Sequence, residues 1–318
     1  MNMLQIAPLV SVCMPAYNAE KYIQAAIDSI LAQTYKNIEL IVVNDGSNDG
    51  TEAILKSYGN KIFYVTQENS GQTTTANRAL SLAKGKYVKF FDADDILSKR
   101  FIESQVNILN GSDSLIATAK WGRFFNDDLN TFTLNPETVW RDLKPIDWLV
   151  ESLQNGPNMM QCGLFLIPKK ILDKIGGWDQ RLSLINDFEF FIRVLLSADG
   201  LKFSDQSILY YRSGVSGTVS NQTSRIAYES AYLSTNLGVD KLLSFENSSR
   251  VKYVSANILQ LWAYSFYPIH KDLYLNSIER VKQLGGSTYS FPCGGFTKLL
   301  STILGWKIAK KIKIFFHF

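Results

Sequence analysis

Three carboxylates crowd into four positions where the run KFFDADD ends: Asp92, Asp94 and Asp95. Neighbouring anions repel at neutral pH, so such a cluster is either held in water or neutralised by a cation. A hard divalent ion such as Mn2+ or Mg2+ prefers oxygen ligands and commonly takes one or two carboxylates, with substrate phosphates completing its shell. Alternatively the acids form a solvated turn in which Asp95 or Ser98 caps the next helix. Asp45, in NDGS, is a turn residue or a carboxylate that accepts the imide N–H of a pyrimidine base. Tyr17, in PAYN, offers a ring face on which a base can stack, or is an ordinary aromatic at the edge of the core. Asn77 and Arg78 form a solvated helix face, or supply a hydrogen bond and a charge to a diphosphate. Asp187, in LINDFEF, is an N-cap or a general base within reach of an acceptor hydroxyl, and a capping carboxylate is the weaker base. Trp178, after Gly176 and Gly177, is an apolar wall for a sugar or a core residue.

Such residues need a frame that brings them together. Val10 to Met14 is a β-branched and apolar run ended by Pro15, which predicts a buried strand. Tyr22, Ile23, Ala26, Ile27, Ile30 and Leu31 recur at helical spacing within a helix predicted over 19–34. The alternation continues with a strand over 38–43, a helix over 51–58, a strand over 61–66, a helix over 73–83 closed by Gly85 as a left-handed cap, and a strand over 87–91. Continuous apolar strands alternating with helices imply an α/β fold whose mainly parallel sheet is covered on both faces. Ligands of such sheets bind at the carboxyl ends of the strands. PAYN, NDGS and DADD all fall at such ends, so three polar clusters converge on one sheet edge.

Further on, the pattern predicts a helix over 99–109, a strand over 115–125 and a less regular stretch to about Asn158. The apolar run from Cys162 to Ile167 ends at Pro168. Phe188, Phe191, Ile192 and Leu195 start a helix close to Asp187, and 201–203 and 208–211 read as closing strands. From about Thr223 only helical segments follow, so the chain divides into 1–220 and a helical C-terminal extension, 221–318.

Composition narrows the chemistry. Having only His270 and His317 argues against a histidine-rich metal site or a Ser-His-Asp triad, and leaves carboxylates to carry any acid–base work. Cys13, Cys162 and Cys293 are far apart and lack metal-ligand spacing, which suits reduced thiols in a cytoplasmic protein. A balance of 33 basic and 29 acidic residues does not point to nucleic acid. The N-terminus has no signal-peptide pattern, and no stretch reaches the about 18–20 apolar residues of a membrane span. No acidic residue follows Glu279, and the basic tail 296–318 mixes Leu299, Leu300, Ile303, Trp306, Ile308, Ile312, Phe315 and Phe316 with lysines. That pattern suits a cationic amphipathic helix lying on an anionic membrane surface, or a terminal helix packed on the domain.

PAYN, NDGS, GQTTTANRAL, DADD and GGWDQRLSLINDFEF, in this order and at these separations, resemble the family 2 glycosyltransferases of GT-A fold over Pro8 to Ser220. The resemblance implies inverting transfer of a sugar from a nucleotide-diphosphate donor, a UDP-sugar by the match at Tyr17 and Asp45, to an acceptor hydroxyl. It implies a donor site of Pro15, Tyr17, Asp45, Asn77, Arg78 and Asp92, with Mn2+ or Mg2+ bound by Asp94, Asp92 and Asp95, and Asp187 as base. The acceptor would be a glycan or a lipid-linked molecule, and the place of work the cytoplasm or the inner face of the membrane. The chain departs from the family pattern at Ala76, where an arginine is usual, at Asn186, where a glutamate is usual, and after Tyr210-Tyr211-Arg212, where the usual histidine is missing. Two other readings remain at this stage: a catalytically silent sugar-nucleotide-binding scaffold, favoured by Asn186 and Ala76, and a sugar nucleotidyltransferase, disfavoured by the lack of an early glycine-rich basic loop.

Overall fold

The computed structural model describes residues 7–154, 160–214 and 223–315. Residues 10–90 alternate as the apolar runs require: β1 (Val10–Ala16), α1 (Ile23–Leu31), β2 (Ile38–Asn44), α2 (Thr51–Ser57), β3 (Phe63–Thr66), α3 (Gln72–Leu82) and β4 (Tyr87–Phe90). These strands lie in the order β3-β2-β1-β4, all parallel, and the short β8 (Ile167–Pro168) closes the sheet antiparallel to β4. The mainly parallel sheet expected from the sequence is therefore present, flanked by helices.

Two local expectations are corrected. β1 does not stop at Pro15 but runs through it to Ala16, pairing with β2 as far as Asn44. The ladder to β4 ends at Cys13, whose carbonyl accepts from Phe91 N–H, so the proline's missing N–H falls on the side where no strand remains. Gly85 is not a left-handed cap: α3 ends at Ala83 in extended backbone, and Gly85 has no positive φ. A Cβ at Gly85 would lie 2.6 Å from Ser11 Oγ and 2.8 Å from Leu9 O, so glycine is needed there for close approach to the chain entering β1.

A second sheet, β5-β9-β6-β7, stands beside the first. It is built from β5 (Ile96–Leu97), β6 (Leu115–Phe125), β7 (Asp128–Leu134) and β9 (Gly200–Ser213), with α4 (Phe101–Leu109), α5 (Pro145–Leu153), α6 (Lys169–Ile175) and α7 (Asn186–Leu195) between them. The two closing strands expected over 201–211 are one strand, β9, parallel to β6 with a register shift between Ala119 and Lys120. The stretch taken as irregular holds β7, an edge strand exposed except at half-buried Phe132, and α5, whose Trp148, Leu149 and Leu153 are buried. Cys162 to Leu164 form a 3-10 turn, not a strand; an apolar run bounded by turns marks burial without fixing the backbone.

The extension is helical as expected: α8 (Arg225–Phe245), α9 (Ser249–Phe266), α10 (Lys271–Gln283), α11 (Gly295–Leu304) and α12 (Trp306–Phe315). Ser224 and Ser248 cap α8 and α9, accepting from Ala227 and Val251 N–H. The extension shares the main core through Leu242, Val251, Val254 and Ile258. The boundary read near residue 220, and most of the loop after Tyr210-Tyr211-Arg212, lie outside the described residues. The tail is two helices split at Gly305 (φ +78°), not one. Trp306 packs among Tyr264, Tyr267, Tyr274 and Phe291, and Ala309 is buried, while Phe296, Leu299, Ile303 and Ile308 are exposed.

Candidate active site

The ends of β1 and β2 are tied together first. Asn18, in left-handed backbone, donates its N–H to Ser47 Oγ (2.9 Å), and its own Oδ1 accepts from Asn48 N–H (2.8 Å). Between these loops Tyr17 is half exposed, which leaves a ring available for stacking. Asp45 is buried and densely bonded: Oδ1 accepts from Gln67 Nε2 (2.7 Å) and Ser70 N–H (2.9 Å), and Oδ2 from Gly71 N–H (2.9 Å). Burial alone would raise its pKa, but the bonds from Gln67, Ser70, Thr75 and Gly71 outweigh it and hold the carboxyl below its ordinary value.

Two residues of α3 bond to other parts of the chain. Asn77 spends its carboxamide on the main chain of Trp178, donating to the carbonyl (2.8 Å) and accepting from the N–H (2.7 Å). It is thus a strut between α3 and the GGWD turn, in place of the donor contact the sequence suggests. Arg78 reaches Gln67 Oε1 (3.1 Å), the same amide that serves Asp45, and so stands at the β2 end of the site.

At the end of β4 the circumstances differ. Asp92 and Asp94 are half-buried and Asp95 is buried. Burial raises the pKa of Asp92, and burial with the neighbouring Asp92 charge pushes Asp94 up to about 7 despite Arg212. Asp95 is also raised well above its ordinary value, by burial and then by Asp94 and Asp92. Asp95 Oδ1 accepts the N–H of Arg212 (3.0 Å), so this residue braces the loop. Neither Asp95 nor Ser98 caps α4, because Ser98 Oγ accepts from Ile208 N–H instead. Among the described residues no three His, Cys, Asp or Glu side chains converge as a complete metal cage. The donor set is instead what a Mg2+ or Mn2+ ion sharing its shell with phosphates requires: carboxylate oxygens short of positive charge.

Asp187 stands in the first turn of α7, and Ile185, not Asp187, is the N-cap. The conflict between capping and basicity therefore disappears. Ile185 holds φ +50°, a strained conformation for a β-branched residue. Helix α8 enforces it: Ser234 Oγ donates to Ile185 O (2.7 Å), and Ser230 Oγ accepts from Ser183 and Leu184 N–H. Burial, then the charge of Asp92, raises the Asp187 pKa well above its ordinary value. Pro15, Gln72, Asp92, Cys162, Trp178 and Asp187 line one cleft, and Asn186 closes its rim by donating to Gln72 Oε1 (3.2 Å). Trp178 is core and wall at once, stacked on Phe190 with centroids 3.9 Å apart.

Sequence reasoning missed Gln67, Cys162, Lys89 and Arg212. Cys162 lines the same cleft as Asp92, and burial, helped by the charge of Asp92, raises the pKa of its thiol. Lys89 is fully buried, with Nζ on Gly163 O (2.6 Å) and Phe165 O (3.2 Å), and so pins the turn that carries Cys162. The signal for Lys89 and Arg212 was available: each is a cation inside an apolar strand pattern, and buried cations need partners.

Known proteins bear on this arrangement. An uncharacterized glycosyltransferase of Rickettsia prowazekii is 39% identical over 192 residues, covering 59% of this chain and 58% of that protein. Another, of Methanocaldococcus jannaschii, is 32% identical over 213 residues, covering 64% and 71%. The alignment thus spans little more than half the length of the Rickettsia relative. The crystal structure of S. aureus TarS 1–349 in complex with UDP-GlcNAc matches with a TM-score of 0.67 over 87% of this chain and 81% of that one, at 19% identity, a likeness of fold. The family model for glycosyl transferase family 2 matches residues 11–176, more than half of the sequence, and this chain belongs to that family.

Proposed function

We propose that the chain is an inverting glycosyltransferase that moves a sugar from a UDP-linked donor to a hydroxyl of a polysaccharide or glycolipid acceptor, with Mn2+ or Mg2+ as cofactor. The observation that carries this reading is the convergence of three strand-end loops and the start of α7 on one edge of the sheet. That convergence gives a bonded carboxylate beside an open tyrosine ring, and a second group of carboxylates short of positive charge. Family membership supports the transferase reading, and the UDP-GlcNAc bound by TarS supports the donor class.

In this mechanism Tyr17 stacks on the base, Asp45 accepts its imide N–H, and Pro15 lines the adjoining cleft. Asp92 and Asp94 would hold the divalent ion, which when bound neutralises charge on the leaving diphosphate. Asp187 takes the proton of the acceptor hydroxyl as its oxygen attacks the anomeric carbon from the face opposite the diphosphate. A carboxylate with a raised pKa is the better base for that step near neutral pH.

The place of work we propose is the cytoplasmic face of a membrane, where a lipid-linked acceptor is at hand. Among the described residues no helix is long and apolar enough to cross a membrane. The tail instead exposes Phe296, Leu299 and Ile303 on α11 beside exposed Lys298, Lys307 and Lys311, with no acid after Glu279. Co-sedimentation with phosphatidylglycerol vesicles should be lost when Lys307 and Lys311 are both changed to glutamate; equal binding by the double variant would remove this part.

The transferase reading is tested by calorimetric titration with UDP, GDP and dTDP, each with and without Mn2+, on the natural chain and on Asp94→Asn. UDP binding that is strengthened by Mn2+, and no longer so in the variant, is the expected result. Metal-indifferent binding without turnover would favour a sugar-nucleotide scaffold. Release of diphosphate from a nucleoside triphosphate and a sugar phosphate would favour a nucleotidyltransferase.

A further inference from the structure

Arg212, near the end of β9, touches the acidic loop in two ways through its own atoms. Its backbone N–H donates to Asp95 Oδ1 (3.0 Å), and its Nε donates to the main-chain oxygen of Asp94 (2.7 Å). The guanidinium lies between two rings, 4.5 Å from the centroid of Tyr22 and 4.6 Å from that of Phe124, and its side chain is 1% exposed. Stacking between two faces fixes the plane of the fork, and so the direction in which Nε–H points. Its outer end is held by Asp127, through an ion pair from Nη1. Asp127 sits in the β6–β7 turn, where it and Asn126 both adopt left-handed backbone, and its side chain is 63% exposed. The turn at residue 127 is thereby connected, through one rigid side chain, to the main chain of Asp94.

We propose that Arg212 is the positioning residue of the acidic loop, and that Asp127 sets its grip. Arg212 fixes the main chain at Asp94 so that the Asp94 carboxylate projects toward the cation site, although Arg212 itself is directed at a carbonyl and a neighbouring acid. Lysine could keep the charge but could not supply a directed Nε–H from a stacked plane. Asp127 is not among the residues proposed to hold nucleotide or cation, yet its removal frees the guanidinium to turn and loosens the loop. The proposal deepens the transferase reading, because it rests on a divalent ion held at Asp92 and Asp94.

The test is Mn2+ binding itself, read by the electron paramagnetic resonance signal of free Mn2+ in the presence of saturating UDP. Thermal melting and metal-free UDP titration of each variant run alongside. Loss of an outer-shell partner weakens metal sites by about 10- to 100-fold, and Arg212→Lys is expected within that range. Asp127→Asn, at an exposed and screened position, is expected to weaken Mn2+ by about threefold to tenfold. Its melting temperature and metal-free UDP affinity should be those of the natural chain, and excess Mn2+ should restore the full binding amplitude. A merely structural role would lower the melting temperature and both affinities together, and that outcome overturns the proposal. Unchanged Mn2+ affinity in Asp127→Asn and Arg212→Lys overturns it too, while leaving the transferase reading intact. Failure of the natural chain to bind Mn2+ with UDP sinks both.

Discussion

The carboxylate at the end of β2 and those at the end of β4 lie on one sheet edge in opposite circumstances. Asp45 is wrapped by donors of its own chain, and its charge is stabilised in the folded state. Asp92, Asp94 and Asp187 are withdrawn from water, which raises the pKa of each, and the charge of Asp92 raises the other two further, so their charge is opposed. The difference separates a carboxylate that the fold satisfies by itself from carboxylates that it leaves short of donors. On the proposed function, the first belongs to a receptor for a neutral base, which the protein alone can complete, and the second to a receptor for a cation-bound diphosphate, which has to be left short of positive charge.

The largest effect should come from Asp187. Asp187→Asn keeps the shape and the hydrogen-bonding oxygen but removes the proton acceptor, and turnover should fall by about 10²- to 10⁴-fold. Metal-dependent UDP affinity should stay within about twofold, since Asp187 contacts the acceptor in this mechanism. Turnover at natural levels would remove Asp187 as the base, and a parallel loss of UDP affinity would assign it to the cation site instead.

The comparison itself is sharpened by one isosteric change made in each place, with stability measured by denaturant melting of the metal-free protein. Asp45→Asn turns an NH2 group toward one of its present donors and loses a charge-assisted bond, so it should destabilise by about 2 kcal/mol. Asp94→Asn relieves burial and repulsion of a charge that is half-formed near pH 7, so it should stabilise by about 1 kcal/mol. Equal losses at both positions would mean that the acidic loop is as well satisfied as the β2 end, and the contrast would fail.

Much of this was legible in the sequence because it depends on periodicity and on strand ends. PAYN, NDGS and DADD were readable as neighbours, since a parallel sheet aligns the carboxyl ends of its strands. Asp187 was readable at the start of α7 from the spacing of Phe188, Phe191, Ile192 and Leu195. What could not be read was which polar groups consume one another. Asn77 looks like a donor ligand until the GGWD turn folds onto it, 101 residues away in sequence. Arg212 and Asp95 meet across a separation of 117. The bracing of Ile185 by Ser230 and Ser234 belongs to α8, a helix whose face toward α7 is marked only by small residues such as Gly238. Pairings at such distance follow from the packing of layers, and no local pattern encodes them.

The smallest expected effect concerns the group that could undo the contrast. Lys89 lies on the strand that leads to Asp92, and as a protonated counter-ion it would supply the charge the acidic loop lacks. Its Nζ is instead committed to Gly163 and Phe165 carbonyls, and burial pushes its pKa down to about 7. Between about pH 7 and 10 the unfolded chain then holds a proton on this amine that the folded chain does not. Stability due to this group therefore rises with pH across that window, by at most about 1.4 kcal/mol per unit, and is flat below it, where both states are protonated. In Lys89→Met the two carbonyls lose their donor while the amine's burial penalty disappears, so stability at pH 7 should change little. The pH dependence is the diagnostic quantity. Buried Cys162, whose pKa is raised, contributes a fall with rising pH to both proteins, and subtracting the variant's curve from the natural one leaves only the part that depends on its charge interaction with Lys89. The difference should climb from pH 7 to 10. A flat difference would mean that Lys89 keeps its proton in the folded state, and that the acidic loop has a counter-charge beneath it after all.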